Sequence, residues 1–387
     1  MDWSLPESAY TLRATARQLV EEVLRPSERS VPPAEGELPV AVRQRCVAER
    51  RARGLWGLSV PRAEGGAGLS WLEQAVVHEA LHRSPLGFWP HRLFTAGEVP
   101  APLYQTQGLQ REYLFAPVLR GERHGYQLVV PAAVNPAGQG LHVRPLRDGA
   151  VLNGYWPDVP AVAAADLLVV VVEANRESEA QGGDDASRGW GLLCELGMTG
   201  FSMLRPRATM GAACLCDLCW ENCVVGPERI LQGVGESARR WQALRHAAVM
   251  AAGAVGAAEY ALEMARDHAR TRQTFGRPLG DRQAVQWMLA DSARELHAAR
   301  LLVYRAASAA DAGEDPGGPA AEAKAYATEV ACRILDRTIQ IHGGYGYSRD
   351  LPLERLWREL CFYQLVEGSR RDLLAARAEQ MVAALNR

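Results

Sequence analysis

"AAGAVGAAEYALEMARDHARTRQTFGRPLGDRQAVQWMLADSARELHAARLLVYRAA" occupies residues 251–307. Apolar residues recur at three- and four-residue spacing on both sides of a glycine-containing loop, "RTRQTFGRPLGDRQ", Arg270 to Gln283. That period is the signature of amphipathic helices. The helical texture reaches back to residue 238 and forward to residue 312, where "GEDPGG" breaks it. It resumes in "PAAEAKAYATEVACRILDRTIQIHGG", residues 319–344. Periodic pieces of this length, joined by short breaks, predict a helical bundle. A second glycine loop, "QIHGGYGYSRDLP", runs from Gln340 to Pro352. Neither loop has the G-x-G-x-x-G spacing of a dinucleotide-binding turn. Glycine pairs beside arginine let backbone N–H groups approach an anion such as phosphate. The same residues also suit plain turns between helices, and the pattern alone does not choose.

Outward from the bundle, residues 8–120 also read as mostly helical. Ser70, with Glu73 three residues on, has the spacing of a capping box. Between Tyr126 and Ile230 the texture changes to short apolar runs such as "YQLVV", "AVLNGYW" and "ADLLVVVVE", separated by turns, which predicts β-structure. A polar loop, "ANRESEAQGGDDASRG", interrupts it at residues 174–189. The expected organisation is therefore mainly α with a β-domain: an N-terminal helical domain (1–124), a middle β-barrel-like domain (125–232) and a C-terminal four-helix bundle (233–387).

Cys214, Cys216, Cys219 and Cys223 fall within ten residues and invite a metal reading. The surrounding sequence reads as strand, however. Alternation would then send Cys214 and Cys216 to one face and Cys219 and Cys223 to the other. Small buried apolar residues are the expectation, with no metal. A formal charge of −2 over 387 residues gives no reason to expect nucleic acid or an anionic membrane as partner. No run of eighteen apolar residues predicts a membrane span, and the polar start of the chain does not resemble a secretory signal. Eight cysteines without such a signal suggest free thiols and a cytoplasmic location.

"LVEGSRRDLL", residues 365–374, places Glu367 after an apolar stretch and before a glycine. On its own this carboxylate suits a helix N-terminus or a catalytic base. Together the stretch at 251–307, "AKAYATEVACRILDRTIQIHGGYGY" and "LPLERLWRELCFYQLVEG" resemble the acyl-CoA dehydrogenase family over about the last 150 residues. "GLWGLSVPRAEGGAGLSWLEQAVVHEAL" and "QREYLFAPVLRGE" look like that family's first domain. The resemblance implies removal of the α-proton of an acyl thioester, of CoA or an acyl carrier protein, with the β-hydride passing to FAD. It implies Glu367 as the base, with burial expected to raise its pKa, and the Gly368 backbone beside the thioester. Arg245 matches an arginine near the acyl and pantetheine site. For FAD it implies Arg272, Thr274, Phe275 and Gln283 from one loop, Gln340, Gly343 and Gly344 from the other, and Ser369 after the base. In relatives these loops serve a neighbouring subunit's cofactor, so a homodimer or homotetramer is implied.

The middle domain departs from the family pattern. Val129 and Val130 stand where a flavin-contacting Thr and a Glu are expected. In "GYWPDVPAVAAAD" the register that keeps Gly154 and Asp166 puts Asp158 at an expected Trp and Pro160 at an expected Thr. Proline has neither an N–H nor a hydroxyl to offer the flavin. Arg370 and Arg371 also replace smaller residues after the base. Two alternatives to the FAD-dependent reaction follow. One is a non-redox elimination or isomerisation of the thioester that depends on Glu367. The other is a non-catalytic acyl-binding protein, against which the retained Glu367 argues.

Overall fold

The computed structural model describes residues 5–28, 39–88, 99–130, 140–160, 165–172, 189–211 and 214–385. All but the last residue of the 174–189 loop lie outside that set. The chain forms two compact units, one of residues 1–55, 69–89 and 243–387, the other of 56–68 and 90–242.

Along the chain, α1 (Glu7–Leu19) buries Ala9, Ala16 and Leu19 and runs through a π turn into α2 (Arg25–Glu28). After α3 (Val40–Ala52), α4 (Trp71–Leu81) starts on the expected capping box: Ser70 accepts from the Glu73 amide while the Glu73 carboxylate accepts from the Ser70 amide. The next two amides of α4, on Trp71 and Leu72, donate to Asp311 at 2.7 and 3.0 Å. This satisfies first-turn donors that a helix leaves unpaired. From Gln74 to Leu81 every residue of α4 is buried.

In the second unit, α5 (Gly108–Gln110) and α6 (Ala116–Leu119) precede two four-stranded sheets. One has the order β1 (Gly125–Val130), β4 (Leu167–Val172), β5 (Trp190–Cys194), β8 (Ile230–Gln232). The other has the order β2 (Gly140–Leu146), β3 (Gly149–Pro160), β7 (Cys214–Val225), β6 (Phe201–Ala208). β4 is apolar throughout because both its faces are covered. Leu168, Val170 and Val172 join the core shared with β3 and β7, whereas Leu167, Val169 and Val171 meet Val60, Leu103, Leu114 and Phe115. The cysteine strand corrects the strict alternation read from sequence. Asn222 takes φ 48°, and the ladder to β3 slips between Trp220 and Cys223. The extra residue turns Cys223 back to the inner face, beside Cys216, Leu218 and Trp220. Among the described residues no His, Cys, Asp and Glu cluster is arranged to hold a metal ion.

The chain then returns to helices. α7 (Gly235–Arg245), a π turn (His246–Ala251) and α8 (Ala252–Thr271) are continuous, and a short ribbon, β9 (Gln273–Thr274) with β10 (Arg277–Pro278), follows. α9 (Gln283–Asp311), α10 (Gly317–His342), α11 (Leu353–Leu365) and α12 (Arg370–Leu385) complete it. Their common core is rich in alanine, with Ala252, Ala258, Ala299, Ala323 and Ala331 fully buried. Small side chains let the helices approach closely.

α4 lies close against α8. A Cβ added at Gly256 would stand 1.9 Å from the Glu79 carbonyl oxygen, and one at Gly253 would stand 2.5 Å from the His82 ring. His82 follows α4 and is fully buried. Its Nδ1 lies 2.7 Å from the His78 carbonyl, and its Nε2 lies 3.3 Å from the Tyr363 hydroxyl. Burial lowers its pKa to about 4.

Two glycine substitutions contrast this crossing with open backbone. Gly256→Ala should destabilise the protein by about 1–3 kcal/mol through overpacking, despite alanine's better helix propensity. Gly344→Ala, whose Cβ would meet nothing within 4 Å, should change stability by less than about 0.5 kcal/mol. Thermal unfolding of both variants checks this. The unfolded chain also binds a proton at His82 below its ordinary pKa of 6.5, while the folded chain does not until about 4. Its contribution is therefore complete above pH 6.5 and is lost as pH falls towards 4, by about 3 kcal/mol in all. Denaturant unfolding between pH 7 and 4.5 should show that fall, with a shallower slope in His82→Phe.

Candidate active site

Glu367 lies in the turn between α11 and α12. The Val366 amide closes α11 on the Phe362 carbonyl, and the backbone then turns left-handed twice, at Glu367 (φ 56°) and Gly368 (φ 106°). Glycine adopts that conformation freely; for a glutamate it costs on the order of 1–3 kcal/mol and persists where surrounding structure enforces it. Ser369 begins α12 by exchanging hydrogen bonds with Asp372: its amide and hydroxyl donate to the carboxylate at 3.0 and 2.6 Å, and its oxygen accepts from the Asp372 amide at 3.4 Å. Asp372 therefore performs the helix-start role that the sequence also offered to Glu367. The Ser369 hydroxyl, expected at the cofactor, is engaged in this cap.

The Glu367 side chain is 13 % exposed. Its Oε1 is 3.2 Å from an Arg245 guanidinium nitrogen, and its Oε2 is 3.2 Å from His246 Nε2. Lys324, on α10, donates through Nζ to the Val366 and Gly368 carbonyls, the latter at 2.9 Å. The electrostatics correct the sequence expectation. Burial alone works to raise the Glu367 pKa, but Arg245, His246 and Lys324 outweigh it and hold the carboxyl well below its usual range. Burial lowers the His246 pKa, partly offset by Glu367. Burial also brings Lys324 down to about 8, against the pull of Glu367. The site is thus an ionised carboxylate facing three basic groups, not a carboxyl in an apolar pocket.

Sequence reading named Glu367 and Arg245 but missed His246 and Lys324. His246 looked like one polar residue in a run of alanines, although it opens the π turn, an irregularity frequent at functional sites. The residues expected to hold FAD phosphates gather elsewhere in the helical unit. His268 of α8 and His342 of α10 stack with centroids 4.2 Å apart, bringing the two glycine loops side by side. Arg272, Gln283, Gln340, Gly343 and Gly344 are exposed there, and Thr274 is half-buried. Phe275 is 97 % exposed. A Cβ at Gly343 or Gly344 would meet nothing, which leaves open space over that backbone. Sixteen residues of α10 separate Lys324 from Gln340, or about 24 Å of helix. Ser369, beside Lys324, is therefore not brought to these loops within one chain.

In the β-domain the positions expected at the flavin ring do not fit it. Val130 is fully buried between the sheets, and Val129 packs against the core on the other side of β1. The Asp158 carboxylate accepts from Arg207 at 2.5 Å, and its amide donates to Asp217 at 3.1 Å. Pro160 stands opposite Leu215 in the ladder. None of these offers the ring a free donor. The phosphate-side loops remain suited to the cofactor; the ring-side residues do not.

Comparison with known proteins agrees with the fold and the motifs. Residues 6–120 match the family model for the acyl-CoA dehydrogenase N-terminal domain, and residues 237–381 match that for its C-terminal domain. The mitochondrial isobutyryl-CoA dehydrogenase of Dictyostelium discoideum is 30 % identical over 327 residues, 82 % of this chain and 76 % of that one. A 3-(aryl)acrylate reductase of Clostridium sporogenes is 29 % identical over 98 % of both. The solved structure of an FAD complex of PigA superposes with a TM-score of 0.81 over 98 % of this chain and 99 % of that one, at 20 % identity. The chain belongs to the acyl-CoA dehydrogenase family, whose members related to it are acyl-CoA dehydrogenases and reductases.

Proposed function

We propose that the protein acts on acyl thioesters, and that Glu367 removes the proton α to the thioester carbonyl. The observation that carries this is the placement of Glu367: a buried, ionised carboxylate in a strained turn that Lys324, Arg245 and His246 hold from three sides. Backbone strain of this kind survives where structure over-determines it, which is a reason to look for function there.

The low pKa has two consequences. Glu367 is ionised, and so able to accept a proton, throughout the neutral range. It is also a weaker base than a carboxylate in an apolar pocket. The charge that leaves Glu367 on protonation reappears on the enolate oxygen of the thioester. The same basic groups that depress the carboxyl pKa favour an anion there, which compensates for weak basicity. Arg245 and the Gly368 backbone are the groups proposed to meet the thioester once it displaces part of the ion pair.

FAD supplies hydride acceptance in this family, and Arg272, Thr274, Phe275, Gln283, Gln340, Gly343 and Gly344 would hold its phosphate and adenosine side. Val129, Val130, Asp158 and Pro160 do not suit its ring, and none of them would orient it for hydride transfer. That misfit favours the second reading, in which Glu367 moves protons on the thioester without net redox. The open glycine loops and the bare Phe275 and Tyr347, 97 % and 83 % exposed, suit completion by a second copy of the chain.

Exchange of the α-proton of a short-chain acyl-CoA with deuterated water tests the reading without requiring a hydride acceptor. Wild-type protein should catalyse it, and Glu367→Gln should lose about 10²–10⁴-fold; equal rates would refute the assignment. The purified protein should carry little flavin absorbance after dialysis, whereas stoichiometric, tightly bound FAD would restore the ordinary dehydrogenase reading. Sedimentation at micromolar concentration should give a dimer or tetramer that Phe275→Asp weakens.

A further inference from the structure

Lys324 is the only lysine in the sequence; the other 42 of the 43 Lys and Arg residues are arginine. It is also fully buried, as lysines almost never are without a partner. Its partners are backbone: the carbonyls of Val366 and Gly368, on either side of Glu367. We propose that Lys324 is the positioning residue that fixes the Glu367 turn, one ammonium gripping both carbonyls that flank the carboxylate-bearing residue.

The geometry explains why a chain that otherwise uses arginine keeps a lysine here. Two carbonyls separated by two successive left-handed residues, Glu367 and Gly368, converge on one point. A compact ammonium with three rotatable donors can meet both. A guanidinium would carry five donors in a planar fork into a fully buried place, and would leave several unpaired. The grip also counters the tendency of Glu367 to leave its left-handed conformation (φ 56°). The clamp acts on the turn and not on the substrate, so its loss should lower rate more than binding.

The clamp has a pH signature. The charged groups facing Lys324 are Glu367, Arg245 of α7, His246 of the π turn and Asp372 of α12. The pKa of His246 lies below its ordinary value, and those of Glu367 and Asp372 lie below theirs. Lys324 itself loses its proton at about 8. The charged grip is then complete below that pH and weakens above it.

This inference rests on Glu367 as the base, and the test separates the two. Because the lysine is unique, protein made with ε-¹⁵N-lysine gives one side-chain signal, which should titrate near 8 rather than near the ordinary 10.5. In wild type, α-proton exchange should fall with the same midpoint. Lys324→Arg should fold, bind the acyl-CoA within about threefold, exchange about 10–100-fold more slowly and lose the limb near pH 8. Amide hydrogen exchange over 366–369 should quicken at least about tenfold in Lys324→Met. Full exchange activity in Lys324→Arg, or a limb near 8 that persists in it, overturns the proposal. If wild type shows no Glu367-dependent exchange, the functional reading fails instead. The clamp is then judged by amide exchange alone, and unchanged protection at 366–369 in Lys324→Met overturns it.

Discussion

How closely α4 can lie on α8 is decided by two glycines. Gly253 and Gly256 remove the side chains that would otherwise stand against His82 and the Glu79 backbone. With those helices in contact, Glu79 accepts from Arg300 and Tyr304 of α9, while Arg83 and Arg300 share Glu259 of α8. These charges lie inside the helical unit and must be paired there, because a lone buried charge is far more costly than a lone buried methyl. The crossing thus fixes an ion network between α4, α8 and α9, and the alanine-lined core packs around it. The π turn at the head of α8 adds a residue to one turn and so sets the direction of Arg245 and His246.

The same cost of buried charge governs the candidate active site. Three basic groups around one carboxylate would be an expensive arrangement if it served packing alone, since apolar residues of equal volume usually do as well or better. Here each member has a further connection. Lys324 grips backbone, Arg245 and His246 come from one helix turn, and Glu367 sits on a strained residue. Removal of Glu367 would take from Arg245 and His246 the carboxylate they share. A proton taken up by Glu367 would neutralise the carboxylate that faces Arg245 and His246, so the site is poised for an anion to take its place. That property follows from the charges themselves and holds for either reading of the overall reaction.

Much of the fold was legible because its signals are local. The capping box at Ser70 and Glu73, the breaks at 313–318 and 343–352 and the doubly buried β4 all announce themselves within a few residues. What was not legible depends on geometry that sequence spacing does not carry. The bulge at Asn222 cannot be read from "CWENC", yet it decides the face of Cys223. The pKa of Glu367 was misjudged because apolar neighbours in sequence are not its neighbours in space: its surroundings come from residues 245, 246 and 324. One signal for Lys324 was nevertheless present. A single lysine among forty-two arginines marks a position where the shape of the cation matters more than its charge.

The β-domain shows how positions can leave a ligand and still be satisfied. Asp158 holds a left-handed backbone, which its short polar side chain tolerates better than a bulky one. Its amide and carboxylate are taken up by Asp217 and Arg207, and Asp217 also accepts from the Tyr155 hydroxyl at 2.5 Å. Arg207 and the Tyr155 hydroxyl in turn hold the Asp217 carboxyl well below its usual pKa. The polar groups at this end of β3, β7 and β6 therefore bond to one another across the sheet. Asp158 is thus satisfied within the β-domain and needs no ligand to pair it.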